Sequence, residues 1–141
     1  MASILKVDEL QGITAAGDIT VTSEGGAATQ SLQQGLVKQW SSFDQRGTTY
    51  GANTSGDTLN TSSQADESTA IVTVNFTNNM SNTTYNVQNS PHYDRTTANK
   101  IYARMGAGAN VTTSSYLSAS ARGDGLIDDT LHNSMALGDL A

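Results

Sequence analysis

Cysteine is absent, which excludes disulfide bridges and thiolate metal centres and leaves the redox compartment unread. Charge is scarce: 14% of residues are charged and the formal net charge is −6, too little for a charge-swollen disordered tail. Its acidic sign, with a pI near 4.5, argues against nucleic acid or an anionic bilayer as partner. No run approaches the roughly 18 apolar residues of a membrane span, so no membrane insertion is expected. The opening Met1-Ala2-Ser3-Ile4-Leu5-Lys6-Val7-Asp8-Glu9 lacks a basic leader with an apolar stretch behind it and reads as a mature start. At 141 residues the chain holds one ordinary domain plus an arm, which excludes a large multi-domain enzyme. Leu, Ile, Val and Phe supply only about 18% of it, below the roughly 20% at which a core becomes hard to fill. What is there instead is polar and neutral. Ser, Thr, Asn and Gln make up about 38%, with 13 Gly and a single Pro, a mixture suited to short strands joined by tight turns. So thin a core suggests that partner chains complete the fold.

The hydropathy pattern divides the chain in three. Residues 1–22 form an N-terminal arm, in which Asp18-Ile19-Thr20-Val21-Thr22 alternates as a half-buried strand should. Two short strands do not hold together alone in water, so the arm must lie against something larger. Residues 23–38 combine a linker, Ser23-Glu24-Gly25-Gly26-Ala27-Ala28, with the start of a segment where Leu32, Leu36 and Trp40 recur every fourth residue beside Val37. That spacing predicts one face of a short helix, too short to stand alone, which serves either as a neck where copies meet or as a cap on its own domain. Residues 39–141 read as all-β. Val72, Val74 and Phe76 share one strand face, Tyr85 and Val87 another, Ile101, Ala103 and Met105 a third, and Val111, Thr113, Ser115 and Leu117 a fourth. Weaker strands are expected at Leu126 and Ile127 and at Met135 and Leu137. Turn clusters at this spacing point to an antiparallel β-sandwich or jelly-roll-like domain, preceded by the extended arm and the short helical neck.

Signatures of chemistry are few. Ser90, His92 and Asp94 stand at alternate positions, but on a strand they would be spaced by about 7 Å, too far for a hydrogen-bonded relay. Glu9, Glu24 and Glu67 fall in arm, linker and loop, so nothing pairs the two carboxylates that glycoside cleavage needs. Asp124, Asp128 and Asp129 could offer oxygens to Ca²⁺ but miss the calcium-loop spacing and read as a solvated acidic turn. Gly106-Ala107-Gly108-Ala109-Asn110 lacks the third glycine of a dinucleotide loop and is followed by a strand pattern. No catalytic set, metal or cofactor is therefore expected. Trp40 and Phe43 are expected in the core or neck. Tyr50, Tyr93, Tyr102 and Tyr116 fall on loops or alternate faces and could present flat rings to a sugar or protein. Tyr50 and Tyr93, in the longest turn clusters, are the first candidates for receptor contact.

Three stretches resemble a known family. They are Ile4-Leu5-Lys6-Val7-Asp8-Glu9-Leu10-Gln11 leading into the Gly-Asp-Ile-Thr-Val-Thr strand, Leu32-Gln33-Gln34-Gly35-Leu36-Val37-Lys38-Gln39-Trp40-Ser41-Ser42-Phe43-Asp44, and Val72-Thr73-Val74-Asn75-Phe76-Thr77-Asn78-Asn79-Met80-Ser81-Asn82-Thr83-Thr84-Tyr85. The family is that of small tail-fibre-like virion proteins of bacteriophages, those of marine phages in particular. The second stretch is similar to its LQQGLAKAWVNFD and the third to its YTVNFTTAMANTNY, and Leu137-Gly138-Asp139-Leu140-Ala141 resembles its usual ending. After Trp40 the chain departs from the pattern, and residues 46–68 are longer and more polar. The resemblance implies a non-enzymatic homotrimer in the virion, assembled in the host cytoplasm: a fibre or fibre tip that contributes to host attachment by multivalent binding. It implies docking to other virion proteins of tail or capsid through the N-terminal side, where Ile4, Leu5, Val7 and Leu10 are the candidates; the residue pattern itself places a trimer neck at Leu32, Leu36, Val37 and Trp40, and a host-surface glycan or protein is the expected ligand of the exposed loops. A capsid decoration or cement protein is the alternative, with the same arm clamping a shell and no receptor role; a carbohydrate-active enzyme is a third reading.

Overall fold

The computed structural model describes residues 5–13, 19–46, 58–92, 102–105, 111–122, 125–126, 128 and 131–141. The chain forms two compact units, Met1–Leu36 and Val37–Ala141.

In the first unit, strand β1 (Thr20–Thr22) pairs antiparallel with β2 (Thr29–Ser31). The stretch expected to be a linker is the turn of this hairpin. Ser23 N–H donates to Ala28 O and Gly26 N–H to Ser23 O, both at 2.8 Å. Gly26 adopts φ 72°, where a side chain would be strained. The expected helix is a single turn, α1 (Leu32–Gly35), after which Leu36 is already extended. Val37 and Trp40 belong to strand β3 (Val37–Phe43), which corrects the helical face drawn through Leu32, Leu36 and Trp40. A repeat of four is compatible with both the 3.6-residue helix and the two-residue strand period. Gly35, β-branched Val37 and a full-length antiparallel partner decide for the strand.

The second unit is all-β and antiparallel. A three-stranded sheet runs in the order β3, β10 (Leu131–Leu137), β6 (Asn86–His92). A five-stranded sheet runs β4 (Thr61–Ser68), β5 (Ile71–Phe76), β8 (Ser115–Arg122), β7 (Tyr102–Met105), with β9 (Gly125–Leu126) paired to the end of β8. Both sheets contribute to one core of Phe43, Val72, Val74, Phe76, Met80, Tyr85, Tyr116 and Ala136. The alternation read at Val72, Val74 and Phe76 is the buried face of β5. Around Phe76 the rings of Tyr85 and Tyr116 lie 5.6 and 5.7 Å away between centroids, within the range of favourable aromatic pairing.

Two faces differ from expectation. On β8 the buried large residue is Tyr116, fully enclosed, with Ser118 and Ser120 following it inward. Val111 and Thr113 precede the strand, and Leu117 is only half-buried. On β10, His132, Ser134 and Ala136 are buried and Met135 is exposed. In both strands small polar residues take the inner face because hydroxyl, imidazole and amide partners await them there, which outweighs the preference of a single Leu or Met for the interior. The isolated bridge between Trp40 and Leu59 carries the chain from β3 toward β4. At that approach Asn60 has φ 52°, and its side-chain amide holds Asn78 at both N–H (2.6 Å) and carbonyl (3.0 Å).

Candidate functional site

The interior between the sheets is unusually polar, and most of its polar side chains bond to one another. Gln39 of β3 uses its whole amide: Oε1 accepts from the Tyr116 hydroxyl at 2.9 Å, and Nε2 donates to Ser41 Oγ at 3.1 Å and to Thr61 Oγ1 at 3.0 Å. Ser41 in turn shares a proton with Ser134 of β10 across 3.1 Å. Further along, Ser120 Oγ donates to Gln45 Oε1 at 2.6 Å, and Gln45 Nε2 reaches the carbonyl of Ala70 at 3.4 Å. Burial raises the Tyr116 hydroxyl well above its ordinary value, and burial likewise pushes Tyr85 up to about 12. Each phenol therefore stays neutral and acts as a donor. Tyr85 donates to the carbonyls of Thr112 and Ser115, at 2.9 and 2.8 Å, and so fastens the turn before β8.

Within this layer Ser118 Oγ lies 2.7 Å from His132 Nε2, the separation of a nucleophile and its base. Two features deny it that role. Both residues are fully buried, with the imidazole stacked on Phe43 at 5.1 Å, so no substrate reaches them. Ser118 Oγ also bonds Asn89 Oδ1 at 3.0 Å, so its hydroxyl is divided between two partners and is not aimed at the imidazole alone. The pair ties β8 to β10, and Asn89 adds β6.

An accessible feature of the second unit is a groove of about 310 Å³ on the outer face of the three-stranded sheet. Cross-strand register builds it. Met135 lies opposite Trp40 on one side and Gln88 on the other, and Asn133 opposite Ser42 and Ser90. Trp40 is 37% and Met135 40% exposed, and Gln88, Ser90 and Asn133 are exposed. Among the described residues every side chain lining the groove is uncharged. The Gln88 amide is oriented by its bond to Asn86 Oδ1 at 2.9 Å.

The residues singled out by sequence fall in different places. Leu5, Val7 and Leu10 are exposed at 78%, 52% and 56%, along a stretch with neither strand nor helix; Ile4 lies outside the described residues. Leu32 is half-buried, Leu36 and Val37 are exposed, and Trp40 stands in the groove rather than in the core. Tyr50, Tyr93 and Asp94 lie outside the described residues. Tyr116 is core, which removes it as a presented ring. His92 ends β6. Asp128 Oδ1 accepts the backbone N–H of Ala70 at 2.5 Å, and Glu67 Oε1 accepts from Thr73 Oγ1 at 2.6 Å. Among the described residues no group of three or more His, Cys, Asp or Glu could hold a metal ion, and no helix is long and apolar enough to cross a membrane. Sequence reasoning missed the groove because hydropathy places Trp and Met inward. The only available signal was the strand period, which sets Trp40 and Met135 opposite in phase to their Ser41 and Ser134 neighbours.

No protein-family model, curated protein or solved structure matches the chain. Fold and site together define an antiparallel all-β domain with a hydrogen-bonded polar interior and a neutral surface groove.

Proposed function

We propose that this chain is a non-enzymatic structural protein of a bacteriophage virion: a homotrimeric fibre or fibre tip whose arm docks to the particle and whose β-sandwich faces the host. The observation that carries the reading is the arm. Leu5, Val7, Leu10 and Ile13 stand exposed, Ile13 completely, on backbone that belongs to neither strand nor helix. Four large apolar side chains gain about 1.5–3 kcal/mol each when fully buried, and a surface on another protein is where that gain is available. Exposed Leu36 and Val37 supply the sites where copies meet, and several trimers per particle turn weak individual contacts into effective attachment. The fully enclosed Ser118–His132 pair supports a role without catalysis.

Deleting residues 1–22 tests this directly. The truncated chain should remain a soluble oligomer by sedimentation and be missing from purified particles. Its normal incorporation would remove the docking arm, and particles that never contain the full-length chain would remove the virion reading altogether.

A further inference from the structure

We infer that the groove at Trp40 and Met135 binds an uncharged glycan. This deepens the attachment reading and rests on it, by placing the ligand on the outer face of the three-stranded sheet. Three properties of the groove specify the ligand. First, Trp40 and Met135 line it side by side in cross-strand register, an indole next to a thioether, the apolar surface against which the C–H face of a pyranose ring packs. Secondly, this surface is flanked by the amides of Gln88 and Asn133 and the hydroxyl of Ser90. Each amide presents an acceptor and a donor side by side, as a pair of neighbouring sugar hydroxyls does, and Asn86 already holds the Gln88 amide in place. Thirdly, among the described residues no charged side chain lines the groove, in a chain of net charge −6. A carboxylated or sulfated sugar would find no cation to pair with among them and would enter against the field of the whole protein.

Size separates a glycan from a second copy of the chain. The groove's 310 Å³ matches the lower end of small-ligand sites, about 300–1,000 Å³. The exposed fractions of Trp40 and Met135, 37% and 40%, amount to on the order of 100 Å² each. A stable protein interface buries about 800 Å² per partner.

Trp40 is the sole tryptophan, so the full-length chain reports its own occupancy through intrinsic fluorescence. The probes are neutral tetrasaccharides of glucose, mannose, galactose and N-acetylglucosamine, with tetragalacturonate as the acidic counterpart. At least one neutral probe should change the Trp40 emission saturably, and tetragalacturonate should not. The double variant Gln88→Ala/Asn133→Ala, altered only at exposed positions, should bind that probe at least about tenfold more weakly with its melting temperature unchanged. Silence from all four neutral probes at millimolar concentration overturns the inference, as does equal binding of the acidic probe or full affinity in the double variant. An emission shift that follows protein concentration without sugar would assign the groove to a second copy and overturn it equally. Sugar binding and particle incorporation are scored separately: a chain present in virions but blind to sugars defeats only the groove, and a sugar-binding chain absent from virions defeats only the attachment role.

Discussion

Replacing Tyr85 by Phe separates two contributions that the same hydroxyl makes with opposite dependence on pH. At neutral pH the hydroxyl donates to the carbonyls of Thr112 and Ser115, and its loss leaves them short of a partner at a cost of about 1–2 kcal/mol. Burial also raises the phenol from 10 to about 12. Between these values the unfolded chain gives up its proton while the folded chain keeps it, so the unfolded state gains and stability falls as pH rises. At about 1.4 kcal/mol per pH unit the ceiling is roughly 2–3 kcal/mol, and solvent screening at the rim of the core brings the realised loss to roughly 1–2 kcal/mol. Tyr85→Phe does not incur that loss. The wild-type chain should therefore be the more stable by about 1–2 kcal/mol at pH 7, full advantage holding up to pH 10, and the two should converge as pH approaches 12. Tyr116 is present in both proteins, and because Tyr85 itself helps to raise the Tyr116 hydroxyl, the coupling adds to the wild-type loss at high pH and works in the same direction as the predicted convergence. Urea denaturation at pH 7, 9, 10, 11 and 11.5 measures it through the shift in midpoint at constant slope. A gap of constant size across that range would refute the reasoning, because burial would then not be what holds the Tyr85 proton.

Two further changes probe the packing and the polar layer. In Gly138→Ala the new methyl would lie 2.6 Å from Tyr85 Cβ and 3.3 Å from its Cα; overpacking against backbone of this kind costs about 1–3 kcal/mol, and an unchanged thermal midpoint would mean that the β10 end is free to move. Ser118→Ala strips His132 Nε2 and Asn89 Oδ1 of the hydroxyl they share, at a cost of about 1–3 kcal/mol. Calorimetry should show it, and a variant as stable as the parent would mean that the layer contributes little to folding.

The scarcity of hydrocarbon residues that suggested reliance on partner chains is met partly inside one chain. Buried Gln39, Gln45, Ser41, Ser118, Ser120, His132 and Ser134 occupy interior space that Leu or Ile would fill elsewhere, and their mutual bonds remove most of the desolvation penalty of placing them there. A composition count cannot register this, because a serine facing water and a serine bonded to a buried glutamine are the same letter.

Sequence alone determined the all-β character of the described residues beyond Gln39 and the buried face of β5, where Val72, Val74 and Phe76 alternate without ambiguity. Tertiary structure decided where the period of the pattern was degenerate or the partner was distant in the chain. Leu36 and Trp40, four apart, satisfied helix and strand alike until β10 paired with β3. Tyr116 turned inward because Gln39, 77 residues away, accepts its proton. The neutral groove exists only because register sets residues of β3, β10 and β6 side by side. Local pattern reports how far a side chain prefers to leave water; which groups it then meets is a property of the folded chain alone.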